Sequence, residues 1–508
     1  MIPFKNTYVK NALVSENIFR QRAPETADLP LFADIRKDLP QPYWENHGTA
    51  IDCYWKVWEL AFSNLRKPSK ENGFVSNYID TAYNDNIFMW DSAFICMFAR
   101  YGTRVFNFQK TFDNFYAKQH PDGFICREIR ESDGSDCFHR YDPVSTGPNL
   151  IPWTEWEYFR NFGDMERLDQ IFPVLSSYYN WLKLNRTWPD GSYWSSGWGT
   201  GMDNQPRVES KYNMIFSHGH MVWLDACLQQ ILVAKILLKM GLALERWQEI
   251  EEIEDEITFL NDFVNKNLWD EKTGFYYDRY SDGSLSKVRS IGAYWSLIAG
   301  IVPEERIPGF IGHLSNETEF NRPHRIPSLT FSHHGYKKNG RYWQGGVWNP
   351  TNYMVLSGLD SVGRKDLAHE IALNHHRNVI DVFEKTGTVW EYYSPELQEP
   401  GLMARPDFVG WGGVPPVAVL FEQIFGIRAN VPENTIYWDI NLPEEHGIMN
   451  YPFGKDGIVT MNCKTRSSAD EVPEVQVTSS VPLNLVISSK GQSKTYKLEA
   501  NKKLKTFK

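Results

Sequence analysis

The sequence contains few cysteines and no pattern that would pair them or arrange them around a metal ion. Six cysteines occur in 508 residues, and none belongs to a Cys-x-x-Cys pair. This spacing disfavours both a disulfide framework and a zinc site. We therefore expect isolated thiols, several of them buried, at Cys53, Cys96, Cys126, Cys137, Cys227 and Cys463.

Basic residues are fewer than acidic residues in this chain. The chain has 53 Lys and Arg against 63 Asp and Glu, for a formal net charge of -10 at pH 7. Proteins that bind nucleic acid neutralise its phosphates with Lys and Arg, so nucleic acid is not an expected partner. The oligomeric state stays open.

Long apolar runs are missing as well. We find no run of the roughly 20 apolar residues that a membrane span needs, and no apolar signal-peptide core in residues 1–30. We expect a soluble protein without a membrane partner. It would be cytoplasmic as the chain stands, and periplasmic or secreted if a signal peptide has been removed.

Two further signatures of cofactor chemistry are absent. The glycines of residues 197–201 follow no predicted strand, so they do not form a phosphate-binding loop of the Walker or dinucleotide type. Histidines occur in pairs at residues 218 and 220, 333 and 334, and 375 and 376, but no third ligand accompanies them. We expect no metal and no cofactor.

Aromatic residues, by contrast, are abundant. They make up 15% of the chain, with 19 Trp, and many of the tryptophans lie in Gly-rich segments instead of helical stripes. These segments combine an indole with glycines and a carboxylate or amide. A sugar needs that mixture, because its C–H face packs on an aromatic plane while its hydroxyls require directional polar groups. A small carbohydrate is therefore the expected partner.

Hydrophobic periodicity predicts an all-α fold over most of the chain. About twelve segments with 3.6-residue periodicity occur between residues 47 and 426, and nearly uncharged segments such as 93–98 alternate with one-faced charged ones such as 249–257. A helix that is apolar all round is buried. Links are short after each uncharged segment and long before it. The six long loops are, in chain order, roughly residues 67–88, 119–151, 187–215, 269–290, 317–347 and 386–410. This pattern predicts an (α/α)6 barrel, a six-hairpin toroid with its long loops at one end.

The pattern changes near the C-terminus. Apolar and polar residues alternate in segments such as 474–478 and 483–488, which predicts strands of a small C-terminal β-sandwich. We divide the chain into a barrel domain with an N-terminal extension, residues 1–434, and a β-rich domain, residues 435–508.

Two carboxylates occupy suitable positions in the long loops. Glycosidic bond cleavage needs one carboxylic acid and one carboxylate. Asp203 lies in the third long loop and Glu391 in the sixth, which face each other on a ring of six. Position alone does not exclude the other acidic residues of this region as catalytic groups, namely Asp91, Glu128, Glu131, Asp136, Asp142, Glu155, Asp278 and Asp407.

Four strings in these loops resemble glycoside hydrolase family 63 and the mannosylglycerate hydrolases, and more distantly the trehalases. They are Met-Trp-Asp-Ser at 89–92, Ser-Gly-Trp-Gly-Thr-Gly-Met-Asp-Asn-Gln-Pro-Arg at 196–207, Trp-Gln-Gly-Gly-Val-Trp-Asn at 343–349, and Trp-Glu-Tyr-Tyr-Ser-Pro-Glu at 390–396. They follow the family's order over residues 80 to 425. The resemblance implies that Asp203 is the general acid and Glu391 the general base.

The same resemblance implies a sugar pocket. We expect its Trp-rich setting to raise the pKa of Asp203 while Glu391 stays ionised. The implied pocket positions are Trp90, Asp91, Trp343, Gln344, Trp348 and Asn349. We add Trp153, Arg207 and Trp411 as further candidates for substrate binding.

The chain departs from its relatives at residues 147–149, Gly-Pro-Asn, and at 204–206, Asn-Gln-Pro. These departures leave the mechanism intact and the exact sugar open. The sequence predicts an inverting exo-glycosidase acting on an α-glucoside or short oligosaccharide, with mannosylglycerate and trehalose as alternative substrates. The rival classes are a polysaccharide lyase, which would use His139, Tyr141 and Asn149, and a carbohydrate-binding protein without catalysis.

Overall fold

The computed structural model describes residues 9–81 and 84–507. Its helices follow the chain from residue 32 to residue 424. They are α1 (Phe32–Ile35), α2 (Gly48–Ser63), α3 (Met89–Ala99), α4 (Thr111–Ala117), α5 (Ile151–Phe162), α6 (Met165–Asn185), α7 (Gly197–Thr200), α8 (Leu224–Ala243), α9 (Ile253–Asn267), α10 (Trp295–Ile298), α11 (Ile307–Gly312), α12 (Asn349–Ser361), α13 (Lys365–Thr386), α14 (Val409–Gly412) and α15 (Val414–Ile424), which is wound as a π-helix.

Six of these helices contact one another in a closed cycle. The order is α3, α5, α8, α10, α12, α15 and back to α3. Every residue of α3 is buried, as expected for a helix without a polar face. A second layer packs outside the cycle, where α6 and α9 contact α8, and α13 contacts both α12 and α15. The inner helices therefore direct their N-terminal ends toward the long connections.

Two helices begin later than their hydrophobic periodicity predicts. The periodicity predicts a helix over residues 216–241, but α8 starts at Leu224, because Val222 and Trp223 form hydrogen bonds with loop backbone. It predicts another over residues 244–268, but α9 starts at Ile253, after a turn in which Glu245 adopts a φ of 58°. Contacts with loop backbone in the first case and a turn in the second thus override the periodicity.

Helix α8 also changes the expectation about apolar runs. Over Leu224–Ala243 it is long and apolar enough to cross a membrane, with a mean hydropathy of 1.5. This differs from the expectation that the chain contains no such run. In the structure 67% of the apolar 18-residue stretch of this helix is buried inside the protein. A core helix of a folded domain meets the same criterion.

Most strands form a β region after the helices, together with one strand that lies between α1 and α2. One sheet has the order β1, β10, β11, β12, β15, and the other β14, β13, β9, β8. Their bounds are β1 (Gln41–Trp44), β8 (Ile427–Asn430), β9 (Thr435–Asp439), β10 (His446–Phe453), β11 (Gly457–Cys463), β12 (Val475–Ser479), β13 (Leu483–Ser489), β14 (Gln492–Leu498) and β15 (Asn501–Phe507). The prediction of a helical region followed by a β-rich region is confirmed.

Three short two-stranded sheets interrupt the helical region. They pair β2 (Leu65–Arg66) with β3 (Tyr78–Ile79), β4 (Asn86–Phe88) with β5 (Glu128–Arg130), and β6 (Trp269–Asp270) with β7 (Phe275–Tyr276). Strand β4 lies directly before α3, and its pairing with β5 brings the second long loop to the start of that helix.

All six cysteines are free, and five are buried, with Cys137 partly exposed. Burial raises the pKa of their thiols, as for Cys126 to about 11. They behave as small hydrophobic residues.

Candidate active site

A cavity of about 220 Å³ opens at the N-terminal ends of the inner helices. Trp90 and Asp91 stand in the first turn of α3, and Trp348 directly precedes α12. The first, second, third, fifth and sixth long loops all contribute to the wall. The lining residues are Asn84, Phe88, Trp90, Asp91, Arg127, Glu128, Phe138, Gly147, Pro148, Trp198, Gly201, Asp203, Tyr342, Trp343, Trp348, Glu391, Phe408 and Trp411.

Backbone contacts on both sides hold Glu391 in the wall. Its amide donates to the carbonyl of Arg405 at 3.0 Å, and its carbonyl accepts the indole N–H of Trp411 at 2.6 Å. The residue is only 7% exposed. Its carboxyl group is therefore presented to the cavity by a fixed backbone.

Asp203 reaches the cavity from the turn that follows α7. Ser196 caps this short helix by accepting a hydrogen bond from the amide of Gly199. Gly201 ends it at a φ of 72°, and a Cβ atom there would lie 3.3 Å from the indole of Trp90. Glycine thus allows the turn to approach Trp90 and carry Asp203 inward.

The residues after Asp203 anchor the loop instead of lining the cavity. Asn204 accepts the amide of Trp343 at 2.8 Å. Arg207, which is 2% exposed, forms ion pairs with Asp225 at the start of α8 and with Asp278 in the fourth long loop, both at 2.6 Å. This string therefore positions Asp203.

A column of stacked rings supports the opposite wall. Trp343 and Trp348 stack at 4.1 Å with an interplanar angle of 3°, and Tyr392 covers the other face of Trp348 at 4.4 Å. Both faces of the Trp348 indole are therefore occupied. Its edge, not its face, is available to a ligand.

Sequence reasoning missed several lining residues, of which Arg127 and Tyr342 have the clearest contacts. Arg127 directly precedes β5, which pairs with β4 beside the cavity, and its guanidinium lies 5.0 Å from the ring of Phe138 and 5.1 Å from that of Trp198. The Tyr342 hydroxyl donates to Oδ2 of Asp203 at 3.1 Å. Tyr342 also has a φ of 56°, a strained conformation for a residue with a side chain. No local sequence pattern marks either residue.

Burial changes the protonation of the carboxyl groups in the cavity. It raises the pKa of Glu391 to about 7 and that of Asp203 to about 6. Burial and the neighbouring Glu391 raise the pKa of Asp91 well above its usual range. The sequence predicts a raised pKa for Asp203 alone, and the structure differs because burial raises the pKa of Glu391 as well. The same desolvation acts on both groups, and Arg127 and the Tyr342 hydrogen bond favour the ionised form of Asp203.

Of the predicted site residues, the structure brings together Asp203, Glu391, Trp90, Asp91, Trp343, Trp348 and Trp411. Four others lie outside the cavity. Trp153 packs against Trp295 and Tyr353 deeper in the ring, and Gln344 donates to the carbonyl of Asn204. Asn349 donates to the carbonyl of Trp411, and Arg207 is held in its ion pairs.

The other classes of site find little support in the geometry. Within residues 9–81 and 84–507 no group of three His, Cys, Asp or Glu side chains could hold a metal ion. His139, Tyr141 and Asn149 do not line the cavity, and Tyr141 is 55% exposed. The candidate lyase residues therefore lie apart from the Trp-lined cavity.

Comparison with known proteins agrees with this geometry. Residues 84–401 match the family model described as the mannosylglycerate hydrolase MGH1-like glycoside hydrolase domain. The chain belongs to this glycoside hydrolase family. The matched segment contains both Asp203 and Glu391 and ends before α14.

Individual relatives are distant. An uncharacterised protein of Borreliella burgdorferi is 25% identical over 83% of this chain and 89% of its own length. A probable mannosyl-oligosaccharide glucosidase of Schizosaccharomyces pombe is 23% identical over 48% of this chain, which spans only 33% of that protein. A solved structure of a family 63 mannosylglycerate hydrolase from Thermus thermophilus, in complex with glucose, has a TM-score of 0.58 at 20% identity, covering 72% of this chain and 99% of that one. This structural similarity shows a shared fold.

Because Trp348 is sandwiched between two rings and 1% exposed, we expect Trp348→Ala to lower the free energy of unfolding by about 3–5 kcal/mol. Trp198 is partly exposed, so Trp198→Ala should cost less than about 1 kcal/mol. Urea denaturation of both variants tests the difference. Equal losses would show that the ring column does not stabilise this wall.

The buried carboxyl of Glu391 should make stability depend on pH. Its pKa is raised from an ordinary 4.5 to about 7, so the folded protein retains a proton that the unfolded chain releases between these values. Stability is then greatest below about pH 4.5 and falls as the pH rises through about 7. We expect Glu391→Gln to be more stable than the parent by up to about 3 kcal/mol at about pH 8 and unchanged near pH 4.5. Denaturation curves at both pH values measure this, and a pH-independent gain would contradict it.

Proposed function

We propose that the protein is an inverting exo-glycosidase that hydrolyses the α-glycosidic bond of a neutral α-glucoside or short oligosaccharide. Asp203 is the general acid and Glu391 the general base in this proposal. The observation that carries it is the convergence of these two carboxyl groups, from separate loops, on one cavity walled by tryptophans. Membership of a glycoside hydrolase family supports the reaction class.

The size of the cavity supports action on a chain end. Its volume of about 220 Å³ is below the roughly 300–1,000 Å³ of pockets for drug-sized ligands. A cavity of this size suits one sugar ring, with the leaving group directed toward the opening. The aromatic edges and faces of Trp90, Trp198 and Trp411 can pack on the C–H surface of that ring.

The contacts of the two carboxyl groups fit a single displacement. Asp203 would protonate the glycosidic oxygen, and Glu391 would remove a proton from the attacking water. The Tyr342 hydroxyl, 3.1 Å from Asp203, would stabilise the carboxylate left after proton transfer. In an inverting enzyme the two carboxyl groups stand roughly 6.5–9.5 Å apart, which would leave room between Asp203 and Glu391 for sugar and water.

Charge within the cavity favours a neutral substrate. Asp91, Glu128, Asp203 and Glu391 contribute four carboxyl groups, and Arg127 is the one guanidinium among the described lining residues. An acidic aglycone would be repelled by any of these groups that is ionised. We therefore place α-glucosides and trehalose ahead of mannosylglycerate, the substrate named for the structural relative from Thermus thermophilus.

We also propose that the helical cycle and its outer layer form an (α/α)6 barrel, and that the two sheets pack as a sandwich. The closed contact order of the inner helices supports the barrel. The division at residues 434 and 435 remains our proposal for the domain boundary, with Gln41–Trp44 and Ile427–Asn430 added to the sheets of the C-terminal domain.

The rate should have a bell-shaped dependence on pH. Below about pH 6 both carboxyl groups are protonated and no base is present, whereas above about pH 7 both are ionised and no acid is present. The active form, with Asp203 protonated and Glu391 ionised, is a minority at every pH because the pKa of Glu391 lies above that of Asp203, and its share is greatest between the two values. We therefore expect kcat/KM to be greatest there, as measured on an α-glucoside over a pH series. A plateau that extends to alkaline pH would exclude a catalytic acid with this pKa.

Variants separate the two roles. Asp203→Asn should lower turnover of an alkyl α-glucoside by about 10²–10⁴-fold, yet leave most activity on α-glucosyl fluoride, whose leaving group needs no proton. Glu391→Gln should lose activity on both substrates. Glu128→Gln, which alters another lining carboxyl group, should stay within about tenfold of the parent on both.

Proton NMR during early hydrolysis should show the β-anomer first, as inversion requires. Neutral α-glucosides and trehalose should be cleaved with higher kcat/KM than mannosylglycerate. Early appearance of the α-anomer would indicate double displacement, and a preference for mannosylglycerate would overturn the charge argument without affecting the assignment of acid and base.

A further inference from the structure

A second and larger cavity, of about 370 Å³, lies at the other ends of the inner helices. Helix α3 runs from the catalytic cavity at Trp90 to Arg100, and α12 runs from Trp348 to Ser361. The second cavity is lined by residues of α5, α8, α10, α12, α13, α15 and β8, together with Arg100 and Tyr101 at the end of α3. It shares none of these residues with the catalytic cavity.

Positive charge exceeds negative charge in this wall. Five basic side chains face three acidic ones, and each acidic group already has a basic partner. The pairs are Arg100 with Glu422 at 2.6 Å, Arg160 with Glu157 at 3.3 Å, and Arg428 with Asp360.

Two lysines remain outside these pairs. Lys365 pairs at 3.4 Å with Asp439, which does not line the cavity. Lys239, on the exposed side of α8, forms no ion pair with any residue that the structure describes. Lys239 is therefore the basic group of this wall that has no acidic partner among the described residues, and the partner of Lys365 lies outside the wall.

Two buried polar groups in the wall also lack partners. The side-chain amide nitrogen of Asn161 and the amide oxygen of Gln423 form no hydrogen bond within the described residues. These residues are only 3% and 5% exposed. An unsatisfied buried polar group costs about 1–3 kcal/mol, so a donor and an acceptor here favour an occupant with hydroxyl groups.

The remaining wall is aromatic. Trp153 and Tyr353 lie 5.7 Å apart with an interplanar angle of 30°, and Trp156 lines the cavity beside them. Ring faces and edges of this kind pack against the C–H surface of a polyol. The combination of aromatic, amide and ammonium groups defines the chemistry that the cavity can recognise.

We propose that this cavity is a second ligand site, separate from the catalytic cavity, for a small hydroxylated anion such as a sugar phosphate or a sugar acid. The anionic group would contact Lys239 and Lys365. The hydroxyl groups would satisfy Asn161 and Gln423, and the carbon skeleton would lie against Trp153.

Isothermal titration calorimetry with glucose 6-phosphate, gluconate and glucose tests the proposal on the full chain. We expect one or both anions to bind and to raise the melting temperature, and glucose to do neither at this site. Lys239→Glu should weaken anion binding by about tenfold or more. Ser357→Phe, which places a ring in the cavity, should abolish it.

Two matched variants serve as controls. Lys272→Glu makes the same charge change in an exposed turn away from the cavity and should leave anion binding unchanged. Glu391→Gln alters the catalytic cavity and should also bind the anions as the parent does. Both Lys239→Glu and Ser357→Phe should hydrolyse the α-glucoside at the parental rate.

Several outcomes would overturn the proposal. Absence of anion binding would show that the basic side chains serve only the helix C-termini and their ion pairs. Anion binding that survives both Lys239→Glu and Ser357→Phe, or that is lost in Glu391→Gln, would place the anion elsewhere. Equal binding of glucose at this cavity would show that charge is not what it recognises.

Discussion

A single buried guanidinium connects the loop that carries Asp203 to the helical framework. Arg207 bonds to Asp225 in the first turn of α8 and to Asp278 in the fourth long loop, and Asp278 also accepts the amide of Leu224. Removing one partner from a buried ion pair is expensive, because the remaining charge is left without compensation. The fourth loop contributes no lining residue among those described, yet through Asp278 it determines where Asp203 lies.

Burying carboxyl groups in the Trp-lined cavity lowers stability at neutral pH. Desolvation raises the pKa values of Asp203 and Glu391 to about 6 and 7, which brings both groups close to neutral pH. The same desolvation penalises their ionised forms in the folded protein. The surrounding structure compensates through well-packed aromatic rings, as in the column of Trp343, Trp348 and Tyr392.

The two ends of the inner helices differ in chemistry. The wall of the Trp-lined cavity at the N-terminal ends contains four carboxyl groups and one guanidinium. The wall of the cavity at the C-terminal ends contains five basic and three acidic groups. At the first end long loops form most of the cavity wall. At the second end the links are short, and residues of the helices themselves line the cavity. The same six helices therefore border two cavities, one with more acidic than basic groups in its wall and one with more basic than acidic groups.

The sequence by itself determined the alternation of buried and half-exposed helices, the change to strands near residue 435, and the loops in which Asp203 and Glu391 lie. These features depend on local periodicity and on motifs of contiguous residues. Only the tertiary structure decided which side of each motif faces the cavity: in the string 203–207 Asp203 points inward while Arg207 is bound to Asp225 and Asp278. Only in the folded protein do Arg127 and Tyr342 lie beside Asp203, and Trp153 lines the second cavity instead of the first. The raised pKa of Glu391 is likewise a property of the folded protein. Such outcomes depend on contacts between residues far apart in the chain, and the desolvation that sets a pKa exists only after those contacts have formed.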